Sequence, residues 1–255
     1  MNPYRGRYAQ LYDLLYAAKP YAEEARFVRQ CLRDFGSGES QRILELACGT
    51  GSHAFEFEQQ DLHVTALDYS PEMIAVARHK AGAKGSSVKF QEGDMRQFDI
   101  SGPPFDAVIC LFDSIGFAHT SAAIRGVMRN VHQHLRPNGL FVFEFWHAPA
   151  MLRHHDPLRV ARWKTESGEI VRISETRLDY PSQLAQVSYR VYEMKSDGTY
   201  SSFEENQVNR YFGVTEMEDL LESAGLRPLQ WFNGFARDVN ISDETWHVVA
   251  VAQRP

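Results

Sequence analysis

The run Arg42-Ile-Leu-Glu-Leu-Ala47 is short and mostly apolar, and it ends on Cys48-Gly49-Thr50-Gly51. An apolar run of that length stopping at glycines reads as a strand buried on both faces, as in parallel sheets. Two glycines so close together let the backbone turn tightly and approach a ligand. The residues that follow, with Ala54, Phe55 and Phe57, read as a helix whose N-terminus points back at the turn. Strand, glycine turn and helix in this order commit the chain to an α/β fold, with its site at the carboxyl end of the strand.

The same alternation continues to Trp146. His63-Val-Thr-Ala-Leu-Asp68 is a second strand, and Ser70-Pro71-Glu72 starts a helix with Ser70 as N-cap and Pro71 in its first turn. Ser87 to Gln91, Phe105 to Phe112 and Leu140 to Phe145 are further strands, the last entered through the turn Pro137-Asn138-Gly139. Residues 8–35, before the first strand, have helical spacing broken at Pro20, and residues 121–135 read as a helix too. Strands separated by helices in this way form βαβ units on a parallel sheet covered on both faces. From about residue 158 to 212 the pattern changes: Ile170–Ile173, Ala185–Tyr192 and Gln207–Phe212 are β-rich, with turns at Asp179–Ser182 and Ser196–Gly198. That stretch is an antiparallel insertion. A helix over Thr215–Ala224, closed by Gly225, and two strands near Leu229–Phe235 and Trp246–Ala252 complete the chain.

Composition excludes several classes. With 44% hydrophobic and 12% aromatic residues, the chain can build a sizeable core and is not disordered throughout. Its 27 basic and 33 acidic side chains leave a charge of −6, which argues against a nucleic-acid partner. Cys31, Cys48 and Cys110 are widely spaced and form no CxxC pair, so neither a disulfide framework nor a zinc site is expected. No apolar stretch approaches the roughly 20 residues that span a bilayer, and no apolar run follows Arg5 and Arg7 as in a signal peptide. A cytoplasmic enzyme of small molecules, with no membrane partner, is the expectation.

With Ala54, the glycines fit the G-x-G-x-x-G/A spacing, so the GTGSHA loop alone suits either a nicotinamide cofactor or S-adenosylmethionine. Asp68 ends the second strand at about the 20-residue distance where an acid meets a ribose diol; a helix cap is the plainer role. Asp94, after Gly93 at the end of the third strand, can accept from an adenine amino group while Met95 packs on the ring. A glycine loop and two acids at successive strand ends make coincidence a poor explanation.

These motifs, ELACGTG, LDYSPEM, GDMRQF and LRPNGLFVFEFW, resemble in their order the class I S-adenosylmethionine-dependent methyltransferases. The resemblance implies a Rossmann-like, seven-stranded, mostly parallel sheet with an antiparallel last strand, the β-rich insertion following the fifth strand. It implies that Glu45, Ala47, Cys48, Gly49 and Gly51 line the methionine end of the cofactor, and that Asp68 and Tyr69 hold its ribose and adenine. Asp94 and Met95 would lie at the adenine, with Met73 and Leu111 completing the cofactor set. The segment Leu11-Tyr-Asp-Leu-Leu-Tyr16, with Tyr21 beyond, is similar to the lid of nucleotide-sugar N,N-dimethyltransferases that act on amino sugars. That likeness implies a cofactor contact for Tyr16, with Trp146 and Arg153 facing the acceptor. The chain departs from those enzymes at Asp113-Ser114 and Phe117. It then divides into a helical lid (1–40), a cofactor-binding core (41–150), an acceptor-side β insertion (151–213) and a closing helix and strand pair (214–255).

Methyl transfer to an amine or hydroxyl of a small molecule, such as a sugar nucleotide, is the expected reaction. Asp113, after the fourth strand, can orient an amine or accept its proton, and a cap on the next turn is an equal reading. Tyr16 is the other catalytic candidate, and His119 joins Trp146 and Arg153 as a substrate candidate. Arg159 and Arg162 offer paired donors to an anionic acceptor. His154-His155-Asp156 suggests a metal, but neighbours on an extended segment point apart, so none is expected. The alternatives are an NAD-dependent oxidoreductase using the GTGSHA loop and a non-catalytic S-adenosylmethionine-binding protein. The chain is expected as a monomer or homodimer.

Overall fold

The structure, a computed structural model, describes residues 4–38 and 41–255. Met1, Asn2 and Pro3 and the boundary between lid and core at residues 39 and 40 lie outside the described residues. Strand β1 (Arg42–Leu46) is central, parallel to β2 (His63–Asp68) on one side and β4 (Phe105–Cys110) on the other. Beyond them lie β3 (Lys89–Glu92) and β5 (Leu135–Trp146), and the sheet closes with β10 (Arg227–Asn233) and β11 (His247–Gln253). The order is β10-β11-β5-β4-β1-β2-β3, with β11 antiparallel to both its neighbours, so the expected seven-stranded sheet with an antiparallel last strand is present.

Both faces are covered because the strands are apolar on both. Helices α2 (Tyr21–Phe35), α3 (Ser52–Glu58) and α4 (Pro71–Lys84) close on one face. Helices α5 (Ser121–His134) and α7 (Val214–Glu222) close on the other, where the Phe141, Phe143 and Phe145 rings are fully buried. Each such ring removed from water stabilises the fold by about 1.5–3 kcal/mol. Helix α4 starts as its sequence predicts: Ser70 Oγ accepts from the Met73 N–H at 3.3 Å, and Pro71 follows it.

The insertion is a separate antiparallel sheet, β6 (Leu158–Thr165), β7 (Gly168–Asp179), β8 (Leu184–Lys195) and β9 (Tyr200–Arg210), in sequential order. Its strands run longer than the apolar runs suggested, because polar residues on the outer face interrupt the runs without interrupting the ladder. β6 carries no apolar run of its own; it is an edge strand, and charged residues suit an edge. The segment after Trp146 is also corrected. Ala148–His154 is a helix, α6, with Pro149 in its first turn, so His154 is helical and not extended. Helix α1 (Gly6–Leu15) bridges the inserted sheet and helix α4: Arg7 pairs with Glu193 of β8 at 2.6 Å and Asp13 with Lys80 of α4 at 2.7 Å.

Candidate active site

Two cavities meet at the carboxyl edge of the large sheet. The first, about 480 Å³, is walled by the turns after β1 to β4 and by Tyr4, Tyr12 and Tyr21. The second, about 770 Å³, lies between that edge and the inner face of the four-stranded sheet. Tyr4, Phe112 and Phe117 line both and form the partition between them.

The first cavity is shaped by backbone. Ala47 and Gly49 take positive φ, +53° and +56°, which swings the chain away from the strand axis and opens the space beside it. Asp68 braces that turn, one carboxylate oxygen accepting the Gly49 N–H at 2.8 Å and the other the Ser70 N–H at 2.8 Å. Burial raises the Asp68 pKa, and these N–H groups oppose the rise. Glu45 is buried in the wall and its Oε2 has no hydrogen-bond partner in the protein, so the cavity presents a carboxylate oxygen awaiting a donor. Burial and the nearby Asp68 push its pKa well above the usual carboxylate range. Asp94 is chelated by Arg96, whose Nη2 lies at 2.6 Å, and this ion pair holds the Asp94 pKa low against the effect of burial.

This donor set fits the cofactor that the motifs imply. A carboxylate is free for an ammonium group, a braced acid stands at the ribose distance, and the volume lies in the usual range for such ligands. Ala47, Cys48, Gly49, Asp68, Tyr69, Met73, Asp94, Met95 and Leu111 join Glu45 on the wall. Gly51 stands behind it at φ +82°, where a Cβ would lie 2.6 Å from the Phe90 ring.

The second cavity is shaped by side chains. Asp113 and Glu144, each 2% exposed, converge on His247 at the start of β11. His247 Nδ1 lies 3.0 Å from Asp113 Oδ1 and 3.0 Å from Glu144 Oε1, and Glu144 Oε2 accepts the Phe112 N–H at 2.6 Å. Burial lifts the Asp113 pKa to about 6 despite His247, with Glu144 adding to the rise. Burial would lift Glu144 as well, but the bond and charge of His247 and the charge of Lys19 outweigh it and hold Glu144 low. The two acids overcome the burial of His247 and raise its pKa to about 11, so the ring is a cation at neutral pH.

Opposite, Arg172 of β7 donates to Tyr8 Oη at 3.1 Å and Tyr16 Oη at 3.3 Å. Its guanidinium also lies over the Tyr189 ring, 4.9 Å from the centroid, while its Nε is buried without a partner.

Asp113, Tyr16 and Trp146 line this second cavity. Tyr16 is therefore on the side away from the glycine turn, with its ring edge-on to Phe112 at 5.2 Å. His119 lines the first cavity, its Nε2 2.7 Å from the Val208 carbonyl oxygen. Arg153 lines neither; it is exposed and paired with Asp243. Among the described residues His154 and His155 belong to no cluster of ligating side chains, whereas Asp113, Glu144 and His247 bring three potential metal-ligating atoms within 4.8 Å of one another. Sequence reading did not single out Tyr4, Glu144, Arg172 or His247. The available signal was an ionisable residue inside an apolar strand, as with Glu144 in Leu140–Phe145 and Arg172 in Ile170–Ile173. The three cysteines are free and buried, and among the described residues no helix is long and apolar enough to cross a membrane.

A family model described as a methyltransferase domain matches residues 43–139. The dTDP-4-amino-2,3,4,6-tetradeoxy-D-glucose N,N-dimethyltransferase of Saccharopolyspora spinosa is 31% identical over 235 residues, covering 88% of this chain and 87% of that one. The dTDP-3-amino-3,6-dideoxy-alpha-D-glucopyranose N,N-dimethyltransferase of Streptomyces fradiae is 30% identical over 227 residues, covering 88% and 85%. Among solved structures, a SAM-bound amino pentose methyltransferase from Micromonospora echinaspora, involved in calicheamicin biosynthesis, superposes with a TM-score of 0.79. It is 28% identical to this chain, and the match covers 100% of this chain and 99% of that one.

Proposed function

Because the chain belongs to the class I S-adenosylmethionine-dependent methyltransferases, we propose that its acceptor is the amine of an amino sugar carried on a nucleotide. Its cofactor is S-adenosylmethionine. The observation that carries the finer reading is the second cavity, which adjoins the first across Phe112 and Phe117 and has the buried Asp113 carboxylate and Arg172 in its lining. Relatives named for N,N-dimethylation of dTDP-amino sugars support it.

In this reading Glu45 takes the cofactor's ammonium group and Asp68 its ribose hydroxyls, while Met73, Met95 and Leu111 supply the apolar wall. The cofactor supplies an electrophilic methyl group on a positively charged sulfur. Asp113 orients the amine nitrogen with its lone pair toward the partition and accepts its proton. Tyr4, Phe112 and Phe117 exclude water from the meeting point of the cavities. Transfer of the methyl group to the amine would leave a neutral thioether, so no oxyanion would develop and the residues at the partition need only hold amine and methyl in line. Alignment supplies most of the rate, worth up to about 7–11 kcal/mol in favourable models.

The test is transfer of a labelled methyl group from S-adenosylmethionine to the two dTDP-amino sugars named above, with mass spectrometry counting the methyl groups added. Product methylated on nitrogen is expected. Transfer only to a hydroxyl analogue without the amine overturns the acceptor assignment, and absence of transfer to any small acceptor favours a binding protein.

A further inference from the structure

One group in the second cavity is left over by the reaction just described. His247 is held by two buried acids, Glu144 on β5 and Asp113 in the turn after β4. The Phe112 N–H holds the Glu144 carboxylate at 2.6 Å, and the Asn209 side-chain amide holds the backbone of Asp113 by donating to its main-chain carbonyl at 3.2 Å. The backbone of His247 is fixed as well, because it pairs with Trp146 across the β11–β5 ladder. With Nδ1 committed to both carboxylates, the ring has one orientation, and its Nε2 lies on the edge turned away from them. The side chain is 40% exposed, its exposure opens into the second cavity, and among the described residues it hydrogen-bonds only through Nδ1.

Two carboxylates, each 3.0 Å from Nδ1, favour the imidazolium form, and an imidazolium donates from Nε2 as well as from Nδ1. A donor has no use for an ammonium or for the N–H of an amine. It needs an oxygen. Asp113 and Glu144 are faced by two cations, His247 and Lys19. Lys19 acts through space, its Nζ being 2.6 Å from Glu24 and 4.3 Å from the Phe112 ring centroid.

We infer that His247 is a specificity-determining residue: it donates from Nε2 to an oxygen of the methyl acceptor and selects acceptors with a hydroxyl close to the reacting nitrogen. This rests on the amino-sugar reading above and adds to it a preference among amino sugars.

The two probe sugars separate the cases. The 3-amino-3,6-dideoxy sugar carries hydroxyls on both carbons flanking the amine, and the 4-amino-2,3,4,6-tetradeoxy sugar carries no free ring hydroxyl. Wild-type protein is expected to favour the first by about tenfold or more in kcat/KM, chiefly through KM, since a lone donor left unpaired is costly. His247→Asn keeps an amide where Nδ1 was but does not reach the Nε2 position, so the preference should fall to within about twofold. His247→Gln restores a donor near Nε2 and should recover part of it, with cofactor affinity unchanged in both variants. A wild-type ratio retained by H247N, or an equal loss on both sugars, overturns the assignment.

If neither sugar nucleotide is methylated by the wild type, the amino-sugar reading falls and His247 is decided by its ring resonances. A ring charged from pH 6 to 9 keeps the donor role; one titrating near the ordinary 6.5 removes it. Stabilisation of the wild type by Mn²⁺ or Zn²⁺ that is lost in H247N makes the cluster a metal site and also overturns the proposal.

Discussion

The first cavity is assembled from turns that each follow a strand within three residues: Cys48 and Gly49 after β1, Tyr69 and Ser70 after β2, Gly93 and Asp94 after β3, Leu111 after β4. The second draws on Tyr16, Asp113, Trp146, Arg172, Tyr189, Asn209 and His247, which come from both sheets, from the turn after β4 and from the segment joining α1 to α2. One is a matter of backbone shape, the other of side chains brought from afar. A site of the first kind resists any change in its turns. A site of the second kind can exchange its chemistry while the fold stands.

Gly51→Val should break the first region most severely. A β-branched residue at φ +82°, with its Cβ directed at the buried Phe90 ring, combines overpacking with left-handed strain, together about 2–5 kcal/mol. Thermal unfolding reads it, and an unchanged Tm would mean that the turn is not what holds this half together. Asp68→Ala strips two backbone N–H groups of a charged acceptor and removes the proposed ribose contact. Cofactor affinity measured by calorimetry should fall on the order of 100-fold.

Glu144→Gln should leave cofactor affinity within about twofold and raise the acceptor KM about tenfold, because only the side-chain network is disturbed. Equal losses in both measurements would erase the distinction between the cavities. Smallest is a pH effect on the second cavity alone. The His247 pKa is raised in the folded protein from 6.5 to about 11, so its contribution to stability is complete below 6.5 and fades as pH rises toward 11. The stability gap between wild type and His247→Asn should therefore be widest near pH 6.5, narrow steadily in alkaline buffer, and shrink again below about 6 as Asp113 protonates. Asp113 adds the acid limb: as pH falls through about 6 it protonates and acceptor turnover should decline.

That contrast also governs how much could be read from the chain alone. The βαβ rhythm, the Ser70 cap and the turn acids Asp68 and Asp94 are local patterns, and local patterns survive in one dimension. So is the change of period that marks the inserted sheet. β6 was not legible because an edge strand needs no apolar face of its own, and α6 was not because Pro149, a helix-starting residue, reads equally as a break. Glu144 and His247 stand 103 residues apart in the chain yet touch, since β11 enters the sheet beside β5. Spacing carries no trace of such a pairing. Only the expense of burying an acid in an apolar strand hinted that Glu144 had a partner.

The reversed direction of β11 has a consequence for how this enzyme can be remade. Six strands bring their last residues to the working edge, and β11 brings its first, so His247 and Trp246 lie where residues 234–246 hand the chain back to the ladder. That connection can lengthen, shorten or be exchanged without moving the register of any strand. Exchange of that loop would therefore change one wall of the acceptor side while the cofactor half stayed untouched.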